Sequence, residues 1–254
     1  VGDRRSRFAA ASMAVARAPV NPARGGGRQS EGRLWGFARR RGNTNPRYIS
    51  LMPSAASLRL HDDTPREDHF VHLRGVAWED YERLLEVRGD KSAPRFTYLR
   101  GTLEIMSPSK DHEAIKSLIA RLLECWCIDR GIEMMPYGSW TLKERKEERG
   151  AEPDECYVFG TEARDRPQLA IEVEWTRGGM DKLEVYRRLG VDEVWIWKKG
   201  EIHVFLLEGD GYQKVTRSRV VPQLDLELLA SLLDRPTLTQ AVRDFRAAVA
   251  GDGR

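Results

Sequence analysis

The 254-residue sequence predicts an α/β fold in which a mixed β-sheet is flanked by helices, and three observations predict it. Residues 168–198 read as a strand, a Gly-containing turn, a short helix and a second strand, the order of a right-handed parallel crossover. The stretches IHVFLLE and YQKVTR that follow alternate like strands and are joined by Gly-containing turns, so hairpins extend the sheet and make it mixed. Upstream, SKDHEAIKSLIARLLECWCIDRG carries Ile115, Leu118, Ile119, Leu122, Leu123 and Trp126 on one stripe, a long amphipathic helix able to cover a sheet face.

Taken in order, residues 1–51 hold eleven Arg, no Lys, and only Asp3 and Glu31 as acids, a net of +9. The whole chain is +3, so residues 52–254 carry −6. The segment is rich in Gly, Pro and Arg without a sustained apolar period, and is expected to be a disordered basic extension. Such a tail binds nucleic acid non-specifically, acts as a targeting segment, or is a non-native extension ahead of Met52; it carries no functional reading. Residues 52–75 read as a lead-in and 76–254 as the folded domain.

Within that domain, Trp78, Tyr81, Leu84 and Leu85 recur at helical spacing over 78–88. Residues 95–108 read as two strands turning near Arg100 and Gly101. The long helix follows, capped by Ser109 or Asp111 and stopped by Gly131. Short strands are expected at 132–137 and 139–143, then the charged loop KERKEERGAE, then a strand in PDECYVF. After the strand AIEVEW, Gly178 and Gly179 turn the chain into the helix MDKLEVYRRL, which Gly190 closes. VDEVWIWKK is the next strand, with Trp195 and Trp197 as ordinary core. The C-terminal stretch from Leu224 is helical and broken near Pro236.

Several function classes are excluded. Three cysteines make no disulfide framework, and Cys125 and Cys127 diverge around a helix and cannot chelate one zinc ion together. TRGGMDK lacks the spacing of a phosphate-wrapping P-loop. No apolar run reaches membrane-spanning length, so a soluble, cytoplasmic protein is expected.

The chemistry gathers after residue 150. Glu172 and Glu174 stand at i and i+2 of a strand and share a face about 6.6 Å apart, while Leu169, Ile171, Val173 and Trp175 share the core face. Sheltered at an effective dielectric near 20, the two carboxylates repel by roughly 2–3 kcal/mol and need a cation, unless they form an exposed acidic edge. Lys182, in the first turn of the next helix, can fold back over the carboxyl end of the strand, where α/β sites form. Asp154 on the preceding strand supplies a further acid. Together Asp154 and Glu172 suit a hard divalent cation, although taken singly Asp154 reads as a turn acid after Pro153 and Lys182 as a solvated helix residue.

AEPDECYVF, QLAIEVEWT and GGMDKLEVYRRLGVDEVWIW, with YLRGTLEIMSPSKDHEAI upstream, resemble the Uma-type restriction endonuclease family, a branch of the PD-(D/E)XK nuclease superfamily, over roughly residues 76–232. The resemblance implies a restriction-endonuclease-like core and a metal-dependent endonuclease using Mg²⁺ or Mn²⁺. It makes Asp154 and Glu172 the metal ligands, with the Val173 carbonyl beside them. The superfamily lysine would stand where Glu174 does; Lys182 matches the lysine this family supplies from the next helix. Glu113, beside His112, matches a region where related nucleases add an acid to the metal shell. Glu174 becomes a supporting or outer-sphere acid. His112 reads as a helix-start histidine hydrogen-bonded to a loop, with general base as the alternative. Thr176 and Arg177 at the strand exit either touch a phosphate or cap the helix. The implied partner is nucleic acid, DNA first, bound by a homodimer; because residues 52–254 are net negative, contact must come from a local patch such as Arg177, Arg187 and Arg188, or from a dimer cleft. The alternative is a non-catalytic module that keeps the nuclease fold for binding or dimerisation.

Overall fold

The computed structural model describes residues 66–251; the basic extension 1–51 and residues 52–65 of the lead-in lie outside them. The described strands form two sheets. An antiparallel sheet has the order β1 (His69–Arg74), β3 (Thr102–Ser107), β2 (Arg95–Leu99), β6 (Arg149–Ala151), β5 (Leu142–Glu144). A mixed sheet runs β11 (Gly211–Val215), β10 (Glu201–Glu208), β9 (Glu193–Lys198), β8 (Leu169–Val173), β7 (Glu155–Phe159), β4 (Met134–Pro136). Within it, β8 and β9 pair in parallel across the crossover that the sequence predicts, and its other pairs are antiparallel. Helices α1 (Trp78–Arg88), α2 (Lys110–Asp129), α3 (Lys182–Tyr186), α4 (Leu226–Ser231) and α5 (Leu238–Gly251) cover these sheets.

Turn chemistry sets the register of the first hairpin. Arg100 and Gly101 both take positive φ (44° and 79°), as a two-residue primed turn requires, so Leu99 pairs with Thr102 and Thr97 with Glu104. Alternation then splits the antiparallel sheet into two faces. Phe96, Tyr98 and Leu103 pack on Trp78 and Tyr81 of α1. The other face carries Arg95, Thr97 and Glu104, a polar set inside the protein.

The mixed sheet is split in the same way. Leu169, Ile171, Val173, Trp195 and Trp197 pack on Ile119, Leu122, Leu123 and Trp126 of α2 and on residues of α4 and α5. Each such side chain, fully buried, contributes about 1.5–3 kcal/mol. Ala170 and Val194 on the opposite face pack on Val185, Tyr186 and Leu189. Glu172 shares that second face, under α3. The long helix begins as expected: Ser109 caps α2, its side chain accepting from the His112 amide at 3.2 Å.

The structure departs from the sequence reading at several points. The charged stretch 143–152 is not a plain loop: it holds a 3-10 turn at Arg145–Glu147 and the buried strand β6. Its charges are absorbed internally, since buried Arg149 donates to the Glu184 carbonyl and, at 2.9 Å, to the Glu184 carboxylate. β1 arises within the lead-in 52–75, where no strand was read. β8 ends at Val173, so Trp175 leaves the core face and lies 39% exposed, stacked on Trp197 with ring centroids 5.8 Å apart. Cys125, Cys127 and Cys156 are free thiols. No helix of the described residues is long and apolar enough to cross a membrane.

Candidate functional site

Asp154 precedes β7 and is 2% exposed. Its Oδ2 accepts from the Val173 amide at 2.6 Å, which ties the acid to the end of β8 beside Glu172. Its Oδ1 accepts from Arg95 Nη1 and lies 3.0 Å from His112 Nε2. Arg95 Nη2 donates to Glu113 Oε1 at 2.7 Å, and His112 Nδ1 lies 3.1 Å from Asp68 Oδ2. Burial would raise the Asp154 pKa, but the Arg95 guanidinium and the His112 hydrogen bond hold it well below the usual carboxylate range. Burial likewise works to lower the His112 pKa, yet hydrogen bonds to Asp154 and Asp68 outweigh it and push it up to about 9. His112 thus stands between Asp154 and Asp68, tying the start of α2 to both acids, with Arg95 Nη1 3.3 Å from its Nε2.

Glu172 reaches the same cavity from β8. Tyr186 donates its hydroxyl to Glu172 Oε1, and Lys182 Nζ stands 3.7 Å from Oε2. Lys182 also donates to Thr97 Oγ1 at 2.9 Å and lies 3.9 Å from Glu104 Oε1. Burial pushes the Glu172 carboxyl up to about 7, with the Lys182 charge opposing it. Burial would depress the Lys182 ammonium, but Glu172 and Glu104 hold it above its ordinary value and keep it charged. The cavity measures about 320 Å³; Arg95, Glu104, Asp154, Glu172, Glu174, Asp181 and Lys182 supply its charge, and Phe70, Met106 and Ile196 line its apolar wall.

The structure thus brings Asp154, Glu172 and Lys182 together. It does not seat the other expected residues equally. Glu174, one residue past β8, lines the cavity and pairs with Lys198 at 2.5 Å, so Glu172 and Glu174 are each met by a different lysine. Glu113 lies outside the lining, held by Arg95 and by Lys116 at 2.7 Å. Arg177 is exposed at the rim between Thr176 and Gly178, both of which line the cavity. Thr176 accepts from the Asp68 amide at 2.9 Å. Arg187 and Arg188 are engaged with Glu184 and Asp210.

Among the described residues no three or more His, Cys, Asp and Glu side chains converge to hold a metal ion, and the Arg95 and Lys182 cations stand among the acids. Carboxylates of Asp154, Glu172 and Glu104 do line one cavity, and Glu104 Oε1 is buried without a hydrogen-bond donor.

Arg95, Glu104, Thr97 and Tyr186 were not read from the sequence. Tyr186 follows Lys182 by four residues and so shares its helical face, a signal that was there to use. A two-residue turn at 100–101 likewise dictates that Thr97 and Glu104 face each other. Nothing local marks Arg95, whose partners lie far along the chain.

A mixed sheet crossed by a short helix thus carries, at one cavity, a buried acid before one strand, a second acid within the next and a lysine on the helix. Residues 78–238 match the Uma2 family, described as "Putative restriction endonuclease", and the chain belongs to that family. Among solved structures the chain is similar to a crystal structure described as a "putative nuclease belonging to DUF820" from Anabaena variabilis, with 12% identity, a TM-score of 0.41, and coverage of 63% of this chain and 96% of that one. No curated protein matches the chain.

Proposed function

We propose that this chain is a metal-dependent endonuclease that hydrolyses phosphodiester bonds of nucleic acid, DNA first. The observation that carries the reading is the approach of Lys182, Glu172 and Asp154 to one cavity from α3, β8 and the segment before β7. Asp154 and Glu172 would hold Mg²⁺ or Mn²⁺, which supplies positive charge at a phosphate and lowers the pKa of a bound water.

The chain's own groups do the rest. Arg95 and His112 keep Asp154 ionised, and Tyr186 fixes the rotamer of Glu172 by its hydrogen bond. Lys182, held charged and anchored on Thr97, neutralises a non-bridging phosphate oxygen or orients the attacking water. Arg177 at the rim takes a flanking phosphate, and Glu174 with Lys198 shapes the mouth. A homodimer would supply the extended surface that the net-negative domain lacks, and three free thiols suit a reducing compartment such as the cytoplasm.

One observation favours a second reading, a binding or dimerisation module that keeps the fold: both Asp154 oxygens are already satisfied, by Arg95, His112 and the Val173 amide. Incubation of the protein with single- and double-stranded DNA and RNA, in Mn²⁺ and in EDTA, separates the two. Ion-dependent cleavage supports the nuclease; intact substrates throughout support the module.

A further inference from the structure

We propose that Trp175, beside the cavity rim, is a stacking platform for an unpaired base, so that the substrate this site takes is single-stranded nucleic acid. The inference rests on reading the chain as a nuclease, and its test is read in binding without a metal ion.

β8 ends at Val173, and the chain leaves the sheet as Glu174, Trp175, Thr176 and Arg177. The Trp175 ring is held there on two sides. One face lies on Trp197, with 12° between the ring planes and 5.8 Å between centroids, an offset stack. Its Nε1 donates to the Arg66 carbonyl at 2.9 Å, and the hydroxyl of neighbouring Thr176 accepts from the Asp68 amide. With one face and one edge so engaged, Trp175 is still 39% exposed, whereas Trp195 and Trp197 are buried. A ring fixed in advance loses little freedom when a flat ligand settles on its open face.

The neighbours select the ligand. Arg177 is exposed two residues on, within about 7 Å even along a fully extended chain, and offers a guanidinium to the phosphate next to a stacked base. Thr176, between them, lines the cavity that Asp154, Glu172 and Lys182 share. A strand seated on Trp175 and Arg177 is thus delivered to that cavity. In a duplex both faces of each base are covered by its neighbours, and the indole has nothing to receive. A single strand presents its bases to such a ring whatever their sequence.

Binding to the full chain is measured by fluorescence anisotropy in EDTA at about 0.2 M salt, where phosphate contacts are weakened and base contacts persist. The probes are a labelled oligothymidylate of about twelve nucleotides, the same strand with abasic sites, and a duplex of equal length. The parent is to bind the oligothymidylate more tightly than either of the others. Trp175→Leu keeps Trp197 covered but removes the aromatic face. It is to weaken oligothymidylate binding by roughly fivefold to 100-fold, and binding of the abasic strand far less. Trp175→Phe, which restores a ring, is to recover most of the affinity. If Trp175→Leu does not fold, a 2-aminopurine placed in the strand reads stacking on the parent itself, its fluorescence being quenched on binding. Oligothymidylate affinity unchanged in Trp175→Leu, equal losses on both single strands, a parental preference for duplex, or unquenched 2-aminopurine each overturns the platform and leaves the nuclease reading standing. No binding by the parent also overturns the platform, and cleavage in Mn²⁺ then decides the nuclease reading separately.

Discussion

Lys182 Nζ lies 3.7 Å from Glu172 Oε2 and donates to Thr97 Oγ1 at 2.9 Å, so one ammonium joins the mixed sheet, the antiparallel sheet and α3. The neutral, similarly long Lys182→Met keeps the stem and deletes the charge. It is expected to lower single-turnover cleavage by roughly 100-fold or more while the far-ultraviolet circular dichroism stays native. Cleavage within a few-fold of the parent would remove Lys182 from the chemistry.

How much of this was legible in the sequence differs from element to element. The β8–α3–β9 crossover was legible because alternation, the Gly178–Gly179 turn and the helical spacing of Lys182 and Tyr186 all agree. Asp154, Glu172 and Lys182 were legible because chain order and strand period bring them to one sheet end. Glu174 was expected as a supporting acid beside Glu172; it lines the same cavity, and its ion pair with Lys198 was not legible because that lysine comes from the neighbouring strand and pairing register is not a local property. β6 hid within a run of charges because the partner of Arg149 is Glu184, on the helix above it. Trp175 was assigned to the core on the assumption that β8 continues past Val173.

Gly150 on β6 lies directly against the Tyr81 ring. A Cβ there would come within 2.6 Å of Tyr81 Cζ, and Tyr81 is fully buried with the Trp78 and Tyr98 rings 5.2 and 5.0 Å away. Gly150→Ala is expected to destabilise the fold by about 1–3 kcal/mol. Urea denaturation reads this directly, and an unchanged midpoint would mean that the Tyr81 ring has room to yield.

Glu184 fixes α3 to β6. It accepts from Arg187 and from buried Arg149, and these hydrogen bonds hold its carboxyl at about 2, the Arg187 contribution being the larger. The folded-state pKa is below the unfolded value of 4.5, so the stabilisation is fully present above pH 4.5 and is lost as the pH falls through about 2. Glu184→Gln is therefore expected to be less stable than the parent at pH 7, with the gap closing on acidification. A gap that is constant from pH 7 to pH 3 would show that the charge contributes nothing and that the amide fails for steric reasons.

Divalent-ion removal gives a related expectation. If Asp154 and Glu172 hold Mn²⁺, the ion binds only the folded chain and raises its thermal midpoint with concentration, and EDTA reverses the shift. A midpoint indifferent to Mn²⁺ at concentrations that support cleavage would place the ion elsewhere.

The most direct measurement is nicking of supercoiled plasmid by the parent and by Asp154→Asn in Mn²⁺, at matched circular dichroism. The account predicts ion-dependent nicking by the parent and none by Asp154→Asn. Nicking that persists in Asp154→Asn, or that proceeds in EDTA, would contradict it.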